Sequence, residues 1–179
     1  MRKYGLIGFP LTHSLSKQYF TDKFLKENLT NCSYDNYPID SIYSFPDLLR
    51  DNPDLCGLNV TIPYKKEILR YVDVKAPCID EIGAVNVLKI KRLGKSVSVC
   101  GFNSDVDGIR YSVLPFLRDG LKNALILGTG GASRAVSYTL QSLGIAVTFV
   151  SRTPRPGIMT YSDLDDLVIK NSNIIVNTT

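Results

Sequence analysis

Between residues 124 and 176 the chain alternates strand-like and helix-like stretches, and this alternation limits the fold more than any other feature. Ala124–Leu127, Ile145–Val150 and Ile174–Val176 are short apolar runs, and the segments between them, Gly131–Leu143 and Ser162–Lys170, read as helices. Strands joined through helices run parallel, with the helices packed on the faces of the sheet. The expected fold class is therefore α/β.

The first strand runs into Gly128-Thr129-Gly130-Gly131-Ala132-Ser133-Arg134, a glycine turn that opens a helix. Glycines let a backbone approach a pyrophosphate closely, and the first N–H groups of the helix offer donors in a positive dipole field. The third fingerprint position, ordinarily Gly or Ala, is Ser133. A plain strand-to-helix turn has the same glycines; the βαβαβ context favours a Rossmann-like dinucleotide site. The second strand ends in Ser151-Arg152-Thr153, where an NAD site usually places Asp or Glu against the ribose 2′-hydroxyl. No acid is present, and Arg152 and Arg155 flank the position. A guanidinium suits a 2′-phosphate through paired, charge-assisted bonds, so NADP is the cofactor expected. Two exposed loop arginines are the plainer alternative.

Upstream the pattern is mixed. Residues 4–9 read as a buried strand, followed by a helix from Ser14–Ser16 whose Tyr19, Phe20, Phe24 and Leu25 are expected to face a core. Residues 33–39 and Leu55–Thr61 read as strands; Pro46 starts a short helix carrying Leu48 and Leu49, and Tyr64–Val72 is a helix after Pro63. Residues 84–91 and 96–101 form a hairpin across Arg92-Leu93-Gly94-Lys95, and the cations Lys89, Lys91, Arg92 and Lys95 read as its solvated edge. A helix from Asp105 to Arg118, shortened or kinked by Pro115, follows a domain boundary near 102–106.

Composition removes several classes of function. The 179 residues are 44% hydrophobic and 21% charged, enough for a packed core. No run of ~18 apolar residues occurs, and the N-terminal apolar stretch is too short for a secretory signal. The net charge of +4 is mild and dispersed, which argues against nucleic acid and suits an anionic small molecule. His13 is the single histidine, and the four cysteines, at 32, 56, 78 and 100, contain no Cys-x-x-Cys pair. No metal site is expected, and the thiols read as reduced packing residues of a cytoplasmic protein.

Polar residues gather where the first-domain strands end. Ser14 and Ser16 bracket a helix start, fitting either an N-cap or a carboxylate site. Asn59-Val60-Thr61-Ile62-Pro63-Tyr64-Lys65 leaves a strand and turns; Gly83-Ala84-Val85-Asn86 and Asn103-Ser104-Asp105 complete the set. In order and spacing these segments, with Gly128–Arg134, resemble the shikimate dehydrogenases, and the resemblance runs from residue 4 to residue 179.

The resemblance implies reversible, NADP-dependent reduction of 3-dehydroshikimate to shikimate in the aromatic amino-acid pathway. It implies a substrate-binding and catalytic domain over 1–103 and a Rossmann-like NADP-binding domain over 104–179. Ser14 and Ser16 would hold the substrate carboxylate; Asn59, Thr61 and Asn86 would hydrogen-bond the ring hydroxyls and the reacting oxygen. Lys65, with Asp105, would be the catalytic pair. The cofactor set would be Gly128, Thr129, Gly130, Gly131, Ala132, Ser133, Ser151, Arg152, Thr153 and Arg155. No membrane or nucleic-acid partner is implied, and the expected state is a monomer or homodimer. Ser104 stands where the family usually has Thr and Ser151 where it usually has Asn; Pro154 and Pro156 interrupt a segment that more often begins a helix. Only the first βαβαβ half of a dinucleotide fold is present, so a truncated, non-catalytic ligand-binding remnant is the alternative. A dehydrogenase preferring quinate is a further one.

Overall fold

The apolar N-terminal run forms strand β1 (Arg2–Gly8), which β2 (Cys32–Pro38) and β3 (Leu55–Val60) flank, both parallel to it. A two-residue strand, β4 (Val74–Lys75), and the hairpin of β5 (Val87–Leu93) and β6 (Ser96–Phe102) complete a mixed sheet of order β2-β1-β3-β5-β6-β4. The computed structural model describes residues 1–94 and 96–179, which form two units, Met1–Asn103 and Ser104–Thr179.

In the first unit, successive β1 side chains serve opposite faces of the sheet. Ile7 joins a core with Phe45, Leu58, Ile68, Ile79 and Leu88, supported by the short helices α2 (Phe45–Asp51) and α3 (Ile79–Ile82). Leu6 joins Leu11 and Tyr34 on the other face, under α1 (Ser16–Lys26). The α1 contact is narrower than its periodicity predicts. Phe20 and Phe24, one turn apart, pack against the sheet, whereas Tyr19 and Leu25 are 61% and 78% exposed. Each lies about 100° around the helix from one of those two rings, on opposite sides of the packed stripe and turned from the sheet. A groove of about 540 Å³ remains beside α1, lined by Phe20, Phe24, Leu29 and Ile90 among others.

Two other expectations for this unit change. Residues 67–71 form a 3₁₀ turn in place of the helix expected over Tyr64–Val72. The segment is tethered at both ends: the Tyr64 hydroxyl donates to the Ile39 carbonyl at 2.6 Å, and the Asp73 N–H donates to Val99 at 2.9 Å. The basic hairpin is not a solvated edge, because β5 lies between β3 and β6. Arg92 donates to the carbonyls of Leu49 and Asn52 at 2.8 and 3.1 Å and so ties down the end of α2. Lys89 and Lys91 are exposed, and Lys95 lies outside the described residues.

The second unit begins with α4 (Asp105–Val113), which Pro115 ends in a 3₁₀ turn at Leu114–Phe116. Strands β7 (Asn123–Leu127), β8 (Ala146–Ser151), β9 (Met159–Thr160) and β10 (Ile174–Asn177) form a wholly parallel sheet of order β10-β7-β8-β9. Helix α5 (Gly131–Ser142) packs Val136 and Leu140 onto Ala124 and Ile126, and α4 lies against it through Ile109 and Val113. The helix expected over Ser162–Lys170 splits into a 3₁₀ turn, Tyr161–Asp163, and α6 (Asp166–Lys170). Two starts compete there: Thr160 and Asp163 form a capping box, and Asp165 accepts the Val168 N–H at 2.7 Å as a second N-cap. Strand β9 itself is too short to show a period in the sequence.

Candidate functional site

In the first unit the Asn59–Lys65 and Gly83–Asn86 segments and Asn103 are drawn together by hydrogen bonds at one end of the sheet. Because β1 and β3 run parallel, their C-terminal ends emerge side by side; Thr61 donates to Ile7 and Phe9 to Ile62, at 3.0 and 3.2 Å. Val60 donates to the Asn86 carbonyl at 2.9 Å, which brings the entry to β5 alongside. Val85 donates to the Lys65 carbonyl at 2.7 Å, fixing the turn that carries this half-buried lysine. Asn86 is buried, and Asn103, also buried, donates its side-chain amide to Ala84 at 3.0 Å.

Ser14 and Ser16 are placed by the start of α1, where the N-cap position is Leu15; the Ser14 hydroxyl accepts the Ser16 N–H at 3.3 Å. The phenol of Tyr34 donates to Asn59 Oδ1 at 2.7 Å. Tyr34 thus holds a residue 25 positions away that the sequence marks, and no local pattern pointed to it. Its ring is clamped by Phe20, stacked at 4.5 Å between centroids. With Oδ1 taken, Asn59 presents its Nδ2 donor to any ligand.

Burial pushes the Tyr34 phenol up to about 12. Since this exceeds the ordinary 10.0, the neutral phenol stabilises the fold fully below that value, and the contribution is lost as pH rises toward about 12. Burial also raises Tyr37 and Tyr64, so several tyrosines are expected to titrate late in the phenolate absorbance, and Tyr34→Phe to remove one proton's worth of that late amplitude. The same variant leaves Asn59 Oδ1 without its donor, at a cost of about 1–2 kcal/mol in urea unfolding.

In the second unit, β7 is flanked by β10 on one side and β8 on the other, so the chain changes direction across the sheet at this strand. Ligands of open parallel sheets bind beyond the C-terminal ends of the strands at such a switch point. There a cleft of about 320 Å³ is lined by Gly128, Thr129, Gly130, Ser151, Arg152, Thr153 and Arg155, with Tyr161 and Thr178. Gly128 has φ +119°, and a Cβ on it would lie 2.7 Å from the Thr178 hydroxyl. A Cβ on Gly130 would meet nothing within 4 Å, so the space a close-approaching group needs is open. Gly131 and Ala132 form the first turn of α5, whose N–H groups have no intrahelical partner. Among the described residues Arg152 and Arg155 are exposed and not ion-paired. The donor set fits a phosphorylated dinucleotide.

One member of the set is placed differently. Ser133 is fully buried, and its hydroxyl bonds the Thr178 hydroxyl at 2.8 Å instead of facing the cleft. Its side chain joins α5 to the end of β10, the packing task of the third fingerprint position. Asp105 opens α4, where its charge suits the helix N-terminus.

Residues 6–88 match the family profile described as the shikimate dehydrogenase substrate binding domain. The NADP(+) shikimate dehydrogenase of Aquifex aeolicus is 34% identical, over 98% of this chain and 67% of its own length. That of Ignicoccus hospitalis is 35% identical, over 98% of this chain and 68% of its own. The chain belongs to the shikimate dehydrogenase family. It spans about two thirds of the length of these relatives. The crystal structure of shikimate 5-dehydrogenase from Thermus thermophilus, in complex with NADP(H) and shikimate, superposes with a TM-score of 0.81 at 27% identity. The match covers 100% of this chain and 69% of that one.

Proposed function

We propose that the protein carrying this chain reversibly reduces 3-dehydroshikimate to shikimate with NADPH, residues 1–103 holding the substrate and residues 104–179 the cofactor. The observation that carries this reading is identity of 34% and 35% with NADP(+) shikimate dehydrogenases over 98% of the chain. The open space at Gly130 and the two guanidinium groups beside it support the cofactor assignment.

NADPH supplies a hydride to the carbonyl carbon of the substrate when bound. The remaining work falls to side chains of this protein. As negative charge grows on the carbonyl oxygen, the Lys65 ammonium donates it a proton. Ser14 and Ser16 hold the ring carboxylate, and Asn59, Thr61 and Asn86 the ring hydroxyls. Arg152 and Arg155 grip the 2′-phosphate, and the N–H groups of the glycine turn the pyrophosphate.

The test is absorbance of NADPH formed from shikimate and NADP⁺, with quinate and NAD⁺ run in parallel. Turnover is expected with shikimate and NADP⁺; a folded protein that turns over neither acid would overturn the reading. Arg152→Ala is expected to lower kcat/KM for NADP⁺ by about 10- to 100-fold, the loss of a charged hydrogen-bond pair, and to leave that for NAD⁺ nearly unchanged. Equal losses with both cofactors would remove the 2′-phosphate from this arginine.

A further inference from the structure

Strands β8 and β9 are parallel neighbours, pairing Val150 with Met159 and Ser151 with Thr160. Such neighbours are ordinarily joined by a crossover of about a dozen residues or more, usually a helix. Here residues 152–158 make the whole connection, folded on themselves where Ile158 donates to Arg155 at 3.1 Å. With no helix intervening, the chain re-enters the sheet at once, and the first side chain beyond β9 is Tyr161. It lines the same cleft as Gly128, Gly130, Arg152 and Arg155 and is the one aromatic residue that does so among the described residues.

The backbone presenting Tyr161 is pinned from both sides. Thr160 donates its N–H and its hydroxyl to Asp163 Oδ2 at 2.6 and 2.7 Å, and Leu164 donates to the Tyr161 carbonyl at 3.4 Å. The residue is 42% exposed, so the ring has solvent-facing surface left to offer.

We infer that Tyr161 is the stacking platform for the adenine ring of the cofactor; this rests on the NADP reading above and names how its adenosine half is held. The glycine turn takes the pyrophosphate and the arginines the 2′-phosphate, so the base lies within one ribose of both. Adenine is flat and needs a flat, weakly hydrated partner. The other side chains of that wall are Ser, Thr, Val and Arg, of which only the guanidinium groups are planar, and these are taken by the phosphate. Tyr161 is left for the base.

The experiment titrates the protein with 2′,5′-ADP, which has the base and the 2′-phosphate but no nicotinamide, and separately with inorganic pyrophosphate, by calorimetry. Tyr161→Ala is expected to weaken 2′,5′-ADP about 10- to 100-fold, the usual effect of removing one base–aromatic stack. Pyrophosphate binding is expected to stay as in the parent protein, and Tyr161→Phe to bind 2′,5′-ADP like the parent. The chain has no tryptophan, so tyrosine emission is directly readable. Adenine stacking is expected to quench part of it, and Tyr161→Phe to remove that quenching while affinity persists. Unchanged affinity in Tyr161→Ala overturns the platform, as does an equal loss in Tyr161→Phe, which would assign the contact to the phenol hydroxyl. If the parent protein binds no 2′,5′-ADP, the cofactor reading itself falls and the platform with it.

Discussion

Lys65→Ala is expected to lower kcat by about 10²- to 10⁴-fold, the range for removal of a general acid, with KM for shikimate changing far less. The carbonyl oxygen acquires charge only as hydride arrives, so a proton donor placed there acts on the transition state more than on the bound ground state. What ties the turn to the entry of β5 is the Lys65 carbonyl, which accepts the Val85 N–H. The substitution leaves that bond intact, and circular dichroism is expected to be unchanged. Lys65→Arg is a stricter version. It keeps a cation, but a guanidinium does not give up its proton in proteins, so its kcat is expected to stay low. A variant with the turnover of the parent would remove Lys65 from the chemistry.

The second large effect separates two glycines of one turn. At Gly130, φ −77° and ψ −171° suit any residue, and an added Cβ meets open space. Gly130→Ala is therefore expected to leave unfolding free energy within about 1 kcal/mol, the usual scale for a change at an N-cap. Its Cβ would occupy the path of the pyrophosphate, and displacing reacting groups by about an ångström costs about 100-fold in kcat/KM for NADPH. Gly128 is the converse. Its φ of +119° lies where side chains are strained, and a Cβ would stand 2.7 Å from Thr178 Oγ1 and 3.3 Å from Ser133 Oγ. Gly128→Ala is expected to destabilise the second unit by about 1–3 kcal/mol in denaturant unfolding. If Gly130→Ala bound cofactor normally, the glycine turn would be an ordinary strand-to-helix connection.

Strands β7, β8 and β10 and helix α5 of the second unit are legible because each carries a strong local signal. Apolar runs mark β7, β8 and β10, and the glycine turn marks the start of α5. The failures occur where the local signal is shared or weak. Tyr19 and Leu25 have the same chemistry as their buried neighbours, and only the angle at which α1 meets the sheet tells them apart. Arg92 looks like any cation of a basic hairpin until the end of α2 is seen beneath it. Strand β9 has two residues, and the capping signals at Thr160 and Asp165 divide what reads as one helix.

For the candidate site, the residue types and their order were readable in one dimension: hydroxyls at a helix start, amides and a lysine leaving a strand, glycines before a helix, arginines after a strand. Those choices follow from short-range chemistry, because a turn, a cap or a phosphate-binding N-terminus is made by residues close along the chain. What needed three dimensions were the partnerships between distant residues. The phenol of Tyr34 holds Asn59, the hydroxyl of Ser133 is spent on Thr178, and Tyr161 enters the cleft because the β8–β9 connection is short. Each depends on which strand lies beside which, and strand order is set by the packing of the whole sheet, with no trace in the neighbouring residues.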